Sequence, residues 1–364
     1  QYYRIDNSIL VVIFNGKLNT HLSDPIPVEV KIKNLKDIIS SSPEKLSNTL
    51  YKISNYEENY FSAQNTIQFS DGVIIQTIMN ALIEKPIQLL NIQTDPKSFP
   101  RVLIHGKANS QITIIEQYIN LTENDSISNS VVEVSLENGA DLKHICMQEG
   151  SKSDWNFYNL AVNQCQNSIF TSSIISLTGN RTVNDIQCNL LEKGATVDIS
   201  GLYLSDKNAH RDNHTIINHC APNTYSTENF KGIMTEKSSG VFNGLVCVKP
   251  DAQKINSSQT NRNLLLSSDA QMNSNPQLEI YADDVKCSHG STVGQIDDEA
   301  LFYMRTRGIS ETNATLSASQ DLVAVPSTPP KPPPSGGGQQ PGVAASGFGA
   351  GGAGVACLAC LLGV

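Results

Sequence analysis

The sequence predicts a mainly β protein in which strands stack as a coil. Between about residues 62 and 293, short runs of alternating apolar and polar residues recur, separated by Gly, Asn, Asp and Ser. Alternation with period two is typical of half-buried strands, and these four residue types favour turns. No helical pattern separates the runs, which indicates a β-helix or solenoid. An ordinary β-sandwich is the alternative on pattern alone, because the repeats are not strict.

The turns between the runs carry the strongest sign of a repeat. Gly139-Ala140 and Gly194-Ala195 each stand directly before a run, and Ala108 belongs to a weaker version of the same turn. A recurring unit of Gly, Ala, a polar residue and then a strand fits a coil that repeats its own corner. The predicted strands include residues 131–136, 142–147, 169–177, 182–190, 197–204, 215–220, 241–248 and 278–282.

The first part of the chain mixes strand and helix signals. Residues 9–14 form an apolar run that ends at Asn15-Gly16, a dipeptide that favours a tight hairpin turn. Residues 34–39 and 43–53 have apolar side chains at helical spacing, so each of these segments is predicted to be a helix.

Composition changes again after the strands. We divide the chain into an N-terminal mixed segment (1–60), a β-helix core (61–295), the start of a C-terminal helical region (296–314) and a tail (315–364). Gly308 is the predicted stop of a helix in the third part. The tail is first rich in proline and then in Gly and Ala, so we predict a polyproline-type linker followed by disorder.

Composition excludes two classes of function. Acidic residues outnumber basic ones, 35 to 26, which gives a net charge of −9, whereas a general nucleic-acid binder needs a basic face. No long uncharged apolar run interrupts the body of the chain, which excludes a polytopic membrane protein. Most of the 8 cysteines stand singly in strand-like contexts, and nothing in the given stretch resembles a secretory signal. We therefore expect reduced thiols and a cytoplasmic protein, or a plastid protein if a transit peptide precedes it.

Four residues near the middle of the core are a first candidate metal site. His210, His214, His219 and Cys220 are close in sequence. Alternate residues of a strand face opposite sides, so His219 and Cys220 point apart and one metal ion cannot easily collect all four. Structural histidines with hydrogen-bond partners are the simpler interpretation.

A second candidate is the group Asp283, Asp284 and Lys286. On a β-helix, such a cluster is compatible with a secreted carbohydrate-active enzyme, such as a polysaccharide lyase that uses Ca²⁺. That alternative also needs cationic side chains converging in a cleft, and the chain has only 26 Lys and Arg in all.

The third candidate is Cys287 together with His289. Residues two apart on a strand project to the same side, with Cα atoms about 6–7 Å apart. A thiolate and an imidazole suit iron or an iron–sulfur cluster but supply only part of a metal shell. The remaining ligands would come from sulfide or from another chain, and Lys286 would favour the thiolate. A buried cysteine beside a capping histidine is the non-functional alternative.

Longer motifs surround this pair. Residues 276–294 read PQLEIYADDVKCSHGSTVG, and residues 301–309 read LFYMRTRGI. Upstream, GVFNG at 240–244 and NLLLS at 263–267 fit the same pattern. Together these stretches resemble the SufD branch of the SufB/SufD family of iron–sulfur cluster assembly scaffold proteins, over roughly residues 8–314.

The resemblance implies a fold, partners and a cargo. It implies a right-handed parallel β-helix flanked by short helical segments, and a scaffold without ATPase activity of its own. It also implies a heterodimer with SufB, joined through the β-helix ends, in the SUF system complex with the ABC-type ATPase SufC. A transient iron–sulfur cluster would form at the SufB interface, where Cys287 and His289 match the family's candidate ligands. Whether this chain forms a homodimer before it binds SufB stays an open question.

The sequence departs from the family at its C-terminal end. The family ends in amphipathic helices that dock SufC, whereas here the match stops near Asn313-Ala314 and the Pro/Gly/Ala tail follows. The resemblance therefore includes the interface residues Cys287 and His289 but does not extend to the helices that dock SufC.

Overall fold

The computed structural model describes residues 2–41, 44, 50–54, 56–122, 125–151, 153–295, 302–303 and 306–308. The chain divides into two units, residues 1–295 and 296–364. In the second unit, Phe302, Tyr303 and Thr306 are helical, and Gly308 has a φ of +82°, which suits the predicted helix stop. The rest of that helix and the predicted disordered tail lie outside the described residues.

The first unit is built from two long sheets and two short helices. One sheet, sheet A, contains β1 (Ile9–Phe14), β2 (Lys17–Asn19), β5 (Ile87–Gln93), β8 (Gln111–Asn120), β10 (Asp141–Glu149), β12 (Ile169–Ser176), β14 (Thr196–Ser205), β16 (Tyr225–Met234), β18 (Ile255–Leu265) and β20 (Val285–Gln295). The other, sheet B, contains β3 (Val30–Asn34), β4 (Val73–Thr77), β6 (Lys97–Ser98), β7 (Arg101–Gly106), β9 (Ile127–Leu136), β11 (Trp155–Gln164), β13 (Arg181–Leu190), β15 (His210–His219), β17 (Ser239–Val248) and β19 (Gln271–Ile280). The helices are α1 (Leu35–Ser41) and α2 (Tyr60–Gln68).

Successive strands of the core alternate between the two sheets, so each pair of strands makes one turn of a coil. Every neighbouring pair from β7 and β8 onward is parallel and in continuous register; Ile169 of β12, for example, lies beside Asp141 of β10 and Thr196 of β14. The result is a parallel β-solenoid of about eight turns. The predicted β-helix is therefore confirmed, and the β-sandwich alternative is wrong.

One corner of the coil explains the Gly-Ala motif. Every turn places one residue there in the left-handed conformation, and the backbone N–H of Gly139 donates to the Gln166 carbonyl of the next turn at 2.9 Å. The residue after it points into the core and is buried; Ala140 and Ala195 are 1% and 0% exposed. The left-handed positions are Asn80, Asn109, Gly139, Asn167, Gly194, Asn223 and Lys254.

Substituting valine for Gly194 should lower the free energy of unfolding by about 1–3 kcal/mol. Gly194 has a φ of +78°, and an added Cβ would lie 2.1 Å from the Asn167 Oδ1. Urea unfolding of the wild type and the variant measures the loss. Gly294→Val is the matched control, because Gly294 has an ordinary φ and the nearest atom to its Cβ position is 3.9 Å away. Equal stability of the two variants would contradict the steric account.

The N-terminal predictions are partly confirmed. The strand at 9–14 and its hairpin exist, since β1 pairs antiparallel with β2 through Asn15 and Gly16, whose φ values are 48° and 81°. The predicted helix at 34–39 corresponds to α1. Most of the helix predicted at 43–53 lies outside the described residues. Helix α2 has no clear apolar stripe and is not predicted from the sequence.

A buried ion pair connects this N-terminal segment to the outer face of sheet B. Arg101 on β7 and Glu133 on β9 form a salt bridge in which both side chains are 0% exposed. The carboxylate of Glu133 also accepts the backbone N–H groups of Ile53 and Ser54, at 3.2 and 3.3 Å. The guanidinium lies over the Tyr51 ring, 5.0 Å from its centroid. This cluster holds the segment around residues 50–54 against the solenoid.

The last turns of the solenoid have a polar interior. Ser257, Gln259, Asn261 and Asn263 are the inward-facing residues of β18, and each is at most 2% exposed. An inward row of polar residues removes the apolar–polar alternation on which strand prediction depends. For this reason β18 is not among the predicted strands, although β17, which precedes it in the chain, is.

Candidate functional site

The candidate site lies on the last turn of the solenoid. Strand β20 pairs with β18, and β19 pairs with β17; within the described residues, no further strand pairs with either of them. The inward-facing side chains of this turn are therefore not covered by another described turn, unlike those of earlier turns. Residues 285–295 of β20 are accordingly half-buried or exposed along their whole length.

Cys287 and His289 share the inward face of β20. Cys287 is half-buried and packs against the apolar core, whereas His289 is exposed. Residues two apart on a strand lie on one side, with Cα atoms about 6.6–6.8 Å apart. The geometry thus places a thiol and an imidazole side by side at the open end of the coil.

His289 is oriented by the opposite wall of the coil. Its Nδ1 lies 3.1 Å from the Pro276 carbonyl oxygen of β19. A carbonyl can only accept, so Nδ1 carries the proton and the neutral ring keeps its lone pair on Nε2. No described group hydrogen-bonds to Nε2. A backbone carbonyl that fixes the tautomer in this way is the usual partner of a metal-binding histidine.

The Cys287 thiol is held in its protonated form. Burial raises its pKa, and a hydrogen bond from the Ser257 backbone N–H opposes that effect. Lys286, expected from the sequence to favour the thiolate, lies on the other face of the strand and is exposed. Formation of the thiolate here would therefore be driven by a metal ion that displaces the proton, since coordination deprotonates a thiol outright.

The turn beneath supports this pair with polar side chains. Ser257 and Gln259 of β18 are in register with Cys287 and His289. The Gln259 Nε2 donates to the Glu228 carboxyl at 2.6 Å, and burial raises the pKa of Glu228, which favours its neutral form. The site therefore rests on a hydrogen-bonded polar layer, which sequence alone does not reveal because its members lie on two strands, β16 and β18.

The pair alone does not complete a metal shell. Among the described residues, no three or more His, Cys, Asp or Glu side chains come together in a way that would hold a metal ion. Cys287 and His289 thus bring two side chains of ligating type together on the last described turn, and their role as metal ligands stays a prediction.

The earlier histidine cluster has structural partners. His210 Nδ1 lies 2.7 Å from the Ser239 hydroxyl, and His214 Nε2 lies 2.8 Å from the Asp212 carboxylate. His219 is fully buried, facing inward, while Cys220 on the next residue is half-buried on the outer side. These residues do not converge on one point, as their parity predicted.

The residues of the enzyme alternative lie on the surface of the solenoid. Asp283, Asp284 and Lys286 are exposed, and the Asp284 backbone N–H donates to Gln253 at 2.8 Å. They belong to the turn that leads into β20 and to its outer face. In the described part of the chain, no helix combines the length and apolar character needed to cross a membrane.

Several curated proteins are similar to this chain in sequence. An iron–sulfur cluster assembly SufBD family protein of Synechocystis is 29% identical over 318 residues, which cover 84% of this chain and 70% of that protein. SufD of Escherichia coli is 33% identical over 205 residues, covering 56% of this chain and 48% of SufD. The chloroplastic protein ABCI7 of Arabidopsis thaliana is 28% identical over 283 residues, covering 74% and 60%. The chain thus spans about half to 70% of the length of these relatives.

Two family models match consecutive parts of the chain. Residues 5–89 match the SufBD protein N-terminal region, and residues 90–317 match the SufBD core domain of SUF system FeS cluster assembly. The second match includes the open last turn with Cys287 and His289. The chain therefore belongs to the SufBD family of SUF-system iron–sulfur cluster assembly proteins.

Proposed function

We propose that this chain is a scaffold subunit that pairs with SufB through the open end of its solenoid, and that a nascent iron–sulfur cluster forms between the two subunits. The cluster is a transient cargo shared with SufB. In this account Cys287 and His289 contribute the ligands of this chain, and the partner contributes the others. The chain itself carries out no ATP hydrolysis; that step belongs to the ATPase SufC.

The observation that carries the proposal is the pair of half-buried Cys287 and exposed His289 on a last turn that no other described turn covers. A strand edge without a neighbour is a ready surface for pairing with another chain. The two ligand atoms would be the Cys287 Sγ and the His289 Nε2, since Nδ1 of the imidazole is already engaged with the Pro276 carbonyl at 3.1 Å. A second subunit that covers this turn would both complete the metal shell and exclude water from it.

The names of two relatives support a proposal for where the complex acts. The Escherichia coli relative is named SufD, and the Arabidopsis relative is named chloroplastic. We propose that this chain acts in a bacterial-type cytoplasm or in a plastid. Whether it recruits SufC is tested directly by a pull-down, because the helices that dock SufC in the family are not predicted in this sequence.

Changing His289 to Ala should lower the cluster content of the complex several-fold without unfolding the chain. The side chain is exposed, so its loss costs little stability, but it removes one metal ligand. The measurement is iron and acid-labile sulfide per complex after copurification with SufB, with the absorbance of the bound cluster as a second readout.

Ser288→Ala is the matched control, because Ser288 is exposed on the opposite face of the same strand. We expect wild-type cluster content in that variant. Unchanged iron and sulfide in the His289 variant would contradict the assigned ligand. Failure of the wild-type chain to copurify with SufB would contradict the proposed pairing itself.

A further inference from the structure

The two walls of the last turn are joined by a second hydrogen bond, next to the one between His289 and Pro276. Ser291 follows His289 on the inward face of β20, and Ser274 precedes Pro276 on the inward face of β19. The Ser291 hydroxyl donates to the Ser274 hydroxyl oxygen at 2.6 Å. Two adjacent hydrogen bonds therefore connect β20 to β19 across the end of the coil.

Ser274 is held in place by the turn beneath it. Its hydroxyl donates to the Asn261 Oδ1 at 2.7 Å, and the same oxygen accepts the Asn263 Nδ2 at 2.6 Å. The Asn261 Nδ2 donates to the Tyr203 hydroxyl at 3.0 Å, and that hydroxyl donates to the Asn263 Oδ1 at 2.6 Å. Asn261, Asn263 and Tyr203 thus form a closed triangle of hydrogen bonds, and each is at most 2% exposed. A connected, buried network of this kind holds its members in one arrangement.

A glycine makes room for this triangle. Tyr203 on β14 is in register with Gly232 on β16, which is in register with Asn263 on β18. The tyrosine ring passes Gly232 to reach Asn263, and a Cβ at Gly232 would collide with both side chains. The triangle therefore depends on residues from three successive strands of sheet A, and Ser274 connects it to the end of the coil.

His289 has much less support than Ser274. Its side chain is exposed, and among the described residues the Pro276 carbonyl is the one hydrogen-bond partner of its ring. A neutral imidazole in water carries its proton mainly on Nε2, whereas this contact requires the proton on Nδ1. The Nδ1–H form therefore depends on a constant spacing between β19 and β20 at this level.

We propose that Ser274 is a positioning residue for His289. By joining Ser291 to the buried triangle, Ser274 fixes the spacing of the two walls, so the Pro276 carbonyl stays within reach of the Nδ1 proton. The lone pair on Nε2 is then kept available for a metal ion. This use of the orientation rests on the function proposed above, whereas the orientation itself is a property of the chain alone.

The tautomer of His289 measures the positioning in the full-length chain. The ring nitrogens are labelled with ¹⁵N, and their chemical shifts are read by nuclear magnetic resonance in alkaline buffer, where histidines are neutral. The signals that are missing from His289→Ala belong to His289. We expect mainly the Nδ1–H form in the wild type. In Ser274→Ala the ratio of Nδ1–H to Nε2–H should fall about three- to tenfold, as for one weakened hydrogen bond.

Two further variants separate positioning from a general loss of structure. Ser274→Thr keeps a hydroxyl group and should retain most of the wild-type ratio. Ser258→Ala removes a serine that is half-buried, like Ser274, but lies on the outer face of β18, and it should leave the ratio unchanged. The ring signals of the buried His219 report whether each variant is folded. An unchanged ratio in Ser274→Ala, or an equal fall in either of the other two variants, would overturn the positioning role.

The complex with SufB separates this inference from the proposed function. If both are correct, Ser274→Ala lowers the iron and sulfide content of the complex, but by less than His289→Ala does. Wild-type cluster content in the His289→Ala complex would contradict ligation, while a shifted tautomer in Ser274→Ala would still support the positioning role. Lower cluster content in Ser274→Ala with an unshifted tautomer would overturn the positioning role and leave ligation by His289 intact.

Discussion

Replacing Glu133 with alanine should lower the free energy of unfolding by about 3–5 kcal/mol. The change leaves the Arg101 guanidinium without its counter-ion at a site where both side chains are 0% exposed. It also leaves the backbone N–H groups of Tyr51, Ile53 and Ser54 without their shared acceptor. Removing one partner of a buried pair is costly, because the other charge stays desolvated.

Urea unfolding measures the loss, and hydrogen exchange locates it. The amides of Ile53 and Ser54 should exchange faster in the variant, since they lose their acceptor on the solenoid. Glu137→Ala is the matched control: its carboxylate pairs with Lys107 at 2.6 Å, but the two side chains are 40% and 33% exposed. An exposed pair contributes about 0–1 kcal/mol. A Glu133 variant no less stable than the Glu137 variant would contradict the role of the buried pair.

Lowering the pH from 7 to 4 should lower the free energy of unfolding by about 3 kcal/mol through the titration of His219. Burial lowers the pKa of His219 from 6.5 to about 4. Its Nδ1 and Nε2 lie 2.7 Å from Thr224 Oγ1 and 2.9 Å from Ser226 Oγ, respectively. Between pH 6.5 and 4 the unfolded chain takes up a proton at this residue and the folded chain does not. The contribution of neutral His219 to the free energy of unfolding is therefore complete above pH 6.5 and is lost as the pH falls toward 4.

The measurement is the difference in unfolding free energy between the wild type and His219→Gln across pH 4 to 7. Burial raises the pKa values of carboxyl groups such as Asp198 and Glu228. Their contribution to the pH dependence cancels in this difference, because both proteins contain them. We expect the advantage of the wild type at pH 7 to shrink steadily down to pH 4. An advantage that is constant across this range would show that His219 is not held neutral by the fold.

Sequence reasoning succeeds where local conformation is decisive. The left-handed corner favours glycine at positions 139 and 194, and a buried alanine follows each of them, so the repeat is visible in the sequence. The period-two spacing of Cys287 and His289 likewise places them on one face whatever surrounds them.

Other features depend on contacts distant in sequence and are not visible beforehand. Strand β18 carries polar residues inward because the last turns form a hydrogen-bonded layer, with Ser274 of β19 donating to Asn261 at 2.7 Å. Helix α2 depends on Asn59 as its cap and on Phe61, which stacks on Phe157 at 3.8 Å. The carbonyl that orients His289 comes from Pro276 on the opposite wall. In each case the partner is supplied by the coil and not by local sequence.

The central claim, that His289 ligates the cluster cargo through a complex with SufB, is most directly tested by pulsed electron paramagnetic resonance. The complex is assembled with ¹⁵N-histidine in this chain only, and its cluster is reduced to a paramagnetic state. The account predicts one strongly coupled histidine nitrogen that disappears in the His289→Ala complex. A cluster without that coupling, or a coupling that persists in the variant, would contradict it.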